Sequence, residues 1–138
     1  MRILLADPQP KVRFALRVLL ERHPDFQVVG EAACAEELLA LATESCPDLM
    51  LLDWSVAGAM GEGLVVALRN ECPGAGVIVL SGRPEAREAA LAAGADTFVS
   101  KGNPPEHLLA AIIHCCSSGQ TARTRMLVAE EDIPAVSC

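Results

Sequence analysis

Five short apolar runs alternate with five stretches of helical periodicity along this chain, and that rhythm restricts the fold more than any single residue does. Residues 2–6, 27–31, 49–53, 76–80 and 96–100 read as strands. Residues 49–52 are uniformly apolar, which marks a strand buried on both faces. Pro10 suits the first turn of a helix, where its missing N–H goes unused, and Val12, Ala15, Leu16, Leu19 and Leu20 follow at inward helical spacing until His23-Pro24. A second helix over 36–44 carries Leu38, Leu41 and Ala42 inward, and Cys46-Pro47 closes it. A loop with Gly58 and Gly61 leads to a helix over 63–70, broken by Cys72-Pro73-Gly74. A fourth helix over 85–93 has a face of alanines plus Leu91, with Gly94 as its stop. Pro105 opens a fifth with Leu108, Leu109, Ile112 and Ile113 inward. Strand–helix alternation with short connections predicts an α/β fold, a parallel sheet covered by helices on both faces.

In such a sheet the carboxyl ends of the strands open on one edge, where sites are built. The first strand delivers Asp7, the third ends on Asp53, the fourth leads to Ser81 and the fifth delivers Lys101. Singly, each has an ordinary explanation: Asp7 as a cap for the helix near Pro10, Ser81 as a turn residue, Lys101 as a solvated side chain. Together, two carboxylates, a hydroxyl and an ammonium at four strand ends point to a site.

The 138 residues suit one domain with a self-sufficient core. No apolar stretch is long enough to cross a bilayer, and Met1-Arg2 leads straight into a strand rather than a secretory signal, so a soluble cytoplasmic protein is expected. A formal net charge of -7 argues against direct nucleic acid binding. The six cysteines (34, 46, 72, 115, 116 and 138) show no C-x-x-C and no zinc spacing, and read as small buried thiols. His23, His107 and His114 have no acid or cysteine at ligand spacing. Trp54 follows Asp53, is expected to point to the other side of the strand, and offers a spectroscopic probe.

Four segments carry a family resemblance: RILLAD at 2–7, PDLMLLD at 47–53, VIVLSG at 77–82 and GADTFVSK at 94–101. In their order and spacing, about residues 1–116 resemble the receiver domain of bacterial two-component response regulators, most closely the NarL/FixJ type. The resemblance implies a (βα)5 flavodoxin-like three-layer sandwich with strand order 2-1-3-4-5. It also implies that Asp53 accepts a phosphoryl group from a histidine kinase, a phosphotransfer protein or a small phosphodonor. Lys101 would contact that group, Ser81 would hydrogen-bond it, and the Phe98 rotamer would follow Ser81. Magnesium would be held by Asp7, Asp53 and the backbone carbonyl of Ser55. A homodimer through the fourth and fifth helices is a further family expectation. From its own pattern, Phe98 reads first as a core aromatic, ordinary on an edge strand.

The chain departs from the family where a second acid usually follows Asp7. That place is Pro8. Ala57 stands where proline is common and Met60 where an acid often sits. Magnesium binding is therefore expected to be weak and phosphorylation slow. The alternatives are a phosphorylation-independent interaction module and the excised receiver half of a DNA-binding regulator. A flavin or nucleotide protein would need glycines or hydroxyls in the first loop, where DPQP stands instead. No general acid accompanies Asp53, so no enzyme is expected. Residues 117–138 are expected to form an extension or linker, weakly helical near 122–130, with no effector domain.

Overall fold

β3 (Leu49–Asp53) and β4 (Gly76–Ser81) are buried at every position, as strands must be when both of their faces are covered. The structure, a computed structural model that describes residues 1–115, sets them in the middle of a five-stranded parallel sheet. With β1 (Arg2–Ala6), β2 (Gln27–Ala32) and β5 (Thr97–Ser100), the order is β2-β1-β3-β4-β5. This is the doubly wound arrangement that the resemblance implies. The tail from 117 onward, and the helix expected near 122–130, lie outside the described residues.

The period-2 alternation of the strands divides the core. Leu4, Ala6, Met50, Leu52, Val77, Val79 and Phe98 face one layer of helices, α2 (Ala35–Ser45), α3 (Glu62–Glu71) and α4 (Ala86–Ala92), and meet Leu38, Ala42, Leu64, Leu68 and Ala90. Ile3, Leu5, Leu49, Leu51, Ile78, Leu80 and Val99 face α1 (Pro10–Glu21) and α5 (residues 105–115), and meet Leu20, Leu108 and Ile112. Each fully buried leucine or isoleucine stabilises the fold by about 1.5–3 kcal/mol.

The helices turn out differently in several places. On α1 only Leu20 is fully buried, Ala15 is exposed, and Phe14 stands 67% exposed. Ile113 on α5 points outward at 52%, and Leu91 on α4 is also exposed, because α4 packs through Ala86 and Ala90. The segment expected as a loop after β3 forms 3-10 turns over Trp54–Met60, kinked at Gly58 (φ 48°). Gly61 (φ 53°) then lets α3 start at once. Positive φ at both positions is open to glycine at little cost. Asp96 stays outside β5 because it is used locally: its amide donates to the Val77 carbonyl and its carboxylate accepts from the Val77 N–H. No helix among the described residues is long and apolar enough to cross a membrane.

Candidate functional site

Strand register brings the predicted residues together. Ala6 pairs with Leu52, so Asp7 and Asp53 take the next position on neighbouring strands, in the same pleat phase. Ser81 pairs with Ser100, and the Lys101 amide continues that ladder by donating to the Ser81 carbonyl at 2.9 Å. Lys101 therefore leaves its strand in the phase of Asp7 and Asp53. Two carboxylates side by side repel. The Lys101 Nζ lies between them, 2.7 Å from Asp7 Oδ2 and 2.5 Å from Asp53 Oδ1.

The surrounding backbone supplies the remaining partners. Asp7 is 1% exposed, and its Oδ1 accepts the Gln9 N–H at 2.9 Å. Its carbonyl accepts from Arg13, which with Arg17 is ion-paired to Glu31. Asp53 caps the turns that follow it: Oδ2 accepts the Ser55 N–H at 2.9 Å and also the Ser55 hydroxyl. Among the described residues, no buried side-chain polar atom lacks a hydrogen-bond partner. The Ser55 hydroxyl is a contact that sequence reasoning missed. The Asp-x-Ser spacing at a strand-to-turn junction was its available signal.

Electrostatics follow from this geometry. Burial works to raise the Asp53 pKa, but hydrogen bonds from Lys101 and Ser55 and the lysine charge outweigh it and hold the carboxyl below its ordinary 3.8. Burial likewise works to lower Lys101, and its contacts with Asp53 and Asp7 outweigh this and raise it above 10.5. Asp53 thus contributes stability that is present above 3.8 and lost as pH falls through its lower folded value. Lys101 contributes stability that is present below 10.5 and lost as pH rises through its higher folded value. Between these limits the pair contributes in full. Asp53→Asn should therefore flatten the acid limb of the stability profile below about pH 4, read as denaturant midpoint against pH. An unchanged acid limb would contradict the depressed carboxyl.

Ser81 and Phe98 sit differently. Ser81 follows the opposite pleat phase, and its hydroxyl accepts the Arg83 N–H at 3.0 Å in a local turn. Phe98, 9% exposed, packs in the α2–α3–α4 layer. Trp54 is half-buried against that same layer. A cleft of about 370 Å³ between α1 and the start of α5 reaches the site only at Lys101. Among the described residues, no group of three or more histidines, cysteines or acids is arranged to hold a metal. The donors at hand are two hard carboxylates bridged by one ammonium, beside the turn at Ser55. That matches magnesium, which takes one or two carboxylates and fills its octahedron with water and phosphate oxygens. The set fits at its minimum.

The response regulator receiver domain model matches residues 3–113. The nitrate/nitrite response regulator NarL of Escherichia coli K12 is 35% identical over 127 residues, covering 91% of this chain and 58% of that protein. This chain thus spans little more than half the length of that relative. Among solved structures, a LuxR-family two-component response regulator from Aurantimonas sp. SI85-9A1 superposes with a TM-score of 0.79 at 32% identity, over 85% of each chain. A CheY-like receiver protein from Methanospirillum hungatei JF-1 gives 0.77 at 27%, over 88% of this chain and 97% of that one. Strand order, the acid–lysine cluster at the strand ends and these likenesses converge: the chain belongs to the response regulator receiver domain family.

Proposed function

We propose that Asp53 is the phosphoryl acceptor of this receiver domain, and that the modified site switches protein–protein contacts. The observation that carries this reading is the Lys101 ammonium held between Asp53 and Asp7. A carboxylate oxygen of Asp53 attacks phosphorus, the bond from phosphorus to the donor breaks, and the leaving group takes up a proton. Lys101 keeps Asp53 ionised as the nucleophile and then balances charge on the transferred group. Ser55, already donating to Asp53, helps orient the carboxylate. The Ser81 hydroxyl leaves the Arg83 amide to donate to a phosphoryl oxygen, and Phe98 repacks behind it. Magnesium, when bound, supplies positive charge to phosphoryl oxygens, and Asp7, Asp53 and the Ser55 carbonyl would hold it weakly because Pro8 brings no carboxylate.

A histidine kinase or phosphotransfer protein supplies the phosphoryl group in the cytoplasm. The receiver unit spans residues 1–116, and 117–138 serve as an extension or linker. Exposed Leu91 on α4 and Ile113 on α5 support a homodimer through those helices. Pro8 favours one second reading, an interaction module that works without phosphorylation.

Intact mass after incubation with magnesium and acetyl phosphate or phosphoramidate separates the two. The first reading predicts a single phosphoryl adduct that is absent from Asp53→Asn. A folded chain that takes no adduct at any magnesium concentration is the interaction module.

A further inference from the structure

At the edge of the sheet opposite Asp53, the C-termini of α2 and α3 each end on a cysteine, Cys46 and Cys72. Both residues converge on one atom. The Ala42 carbonyl accepts the Cys46 N–H at 3.0 Å and the Cys72 Sγ at 3.3 Å. Burial, together with the neighbouring Cys46 sulfur, pushes the Cys72 thiol up. The helices are tied again one turn back, where the Thr43 hydroxyl donates to Glu71 Oε1 at 2.9 Å.

Cys46 has a second peculiarity. Its φ of 44° makes it the one non-glycine residue with positive φ among the described residues, at a helix C-terminus where glycine is the usual choice. Arg2 Nη1 holds its carbonyl at 3.1 Å. Exposure divides the pair as well: Cys46 is exposed and Cys72 is 6% exposed. Of the two residues, one is open to solvent and the other is buried.

We infer that Cys46 and Cys72 are a redox-responsive pair that closes to a disulfide cross-linking the ends of α2 and α3. The oxidant class is a small-molecule disulfide such as oxidised glutathione. The Cys46 thiolate attacks one of its sulfurs, the oxidant's S–S bond breaks, and one glutathione thiolate leaves and is protonated. Cys72 then loses its proton and attacks the Cys46 sulfur of the mixed disulfide, releasing the second glutathione. Two protein thiols are oxidised, and one glutathione disulfide is reduced to two thiols. The bond closes a loop from Cys46 to Cys72 that contains all of β3 and α3.

The full chain is equilibrated with defined ratios of reduced and oxidised glutathione, trapped with acid, and cleaved after glutamate. That cleavage places Cys34, Cys46 and Cys72 on separate peptides. The expected result is a linked pair of the Cys46 and Cys72 peptides, two hydrogens lighter than the sum of the free peptides and separated by dithiothreitol. The oxidised chain should melt roughly 10 °C higher, since the cross-link restricts the unfolded state. Cys46→Ser, a change at an exposed position, should abolish the link and leave Cys72 unmodified. Glutathione that stays on Cys46 at every ratio, or a link that joins Cys34 or another cysteine instead, would overturn the inference.

Discussion

Lys101→Met lowers stability by about 2 kcal/mol at neutral pH, the largest single loss expected from any surface-accessible side chain near the site. The reason is the company that lysine keeps. Asp7 is 1% exposed and Asp53 is 7% exposed, and each has one oxygen paired to the Lys101 ammonium. Removal leaves two adjacent buried carboxylates with backbone and hydroxyl donors only. Breaking a fully buried pair typically costs about 3–5 kcal/mol. The lysine side chain keeps 30% exposure, so water and counter-ions screen the remaining charges and the value falls below that range. The penalty should shrink as acid neutralises the carboxylates. Urea unfolding of both proteins from pH 7 down to pH 3 reads this directly. A gap that stays constant with pH would assign the loss to the packing of the lysine stem rather than to its charge.

Pro8→Asp should tighten magnesium binding by about tenfold to a hundredfold, or about 1.4–2.8 kcal/mol. Position 8 directly follows Asp7 and is exposed, so a carboxylate there can turn toward the cluster without being buried. The gain is limited because a third negative charge must be gathered against the first two, and the chain loses the restriction that proline imposes before α1. Without metal the variant should be slightly less stable than the parent, and at saturating magnesium more stable than it, a crossing that added flexibility alone would not produce. Trp54, half-buried beside Asp53, reports binding by fluorescence, and thermal shift against magnesium concentration gives a second reading independent of phosphoryl transfer. Equal magnesium affinity in the two proteins would mean that the second acid is not what this site lacks.

The placement of Asp7, Asp53 and Lys101 was legible in the sequence because strands have a strict period of two. Once Leu4, Met50 and Phe98 are assigned to one face, the three charged residues must leave their strands toward the other, at the edge where parallel strands end. Helix faces were harder. Val12, Leu16 and Leu19 on α1 lie on the inward stripe yet remain half-exposed, since α1 shares its side of the sheet with α5 and only Leu20 reaches the centre. Ile113 and Leu91 obey helical spacing but fall at the margin of a contact whose width periodicity does not specify. The turns after Asp53 depend on positive φ at Gly58 and Gly61 and on capping by the Asp53 carboxylate itself, so their course is set by a residue whose place in the sequence signals chemistry rather than a cap. The convergence of Cys46 and Cys72 on the Ala42 carbonyl lies beyond any spacing argument, because it joins the ends of two helices that meet only once the sheet has formed.

The bond formed at Asp53 can be read directly. After reaction with a small phosphodonor and magnesium, borohydride reduces an aspartyl phosphate to homoserine, and peptide sequencing locates the converted residue. Phosphoryl transfer to Asp53 predicts homoserine at position 53 alone, and none in Asp53→Asn. Conversion at Asp7 or elsewhere, or an adducted chain with aspartate intact at position 53, would contradict it.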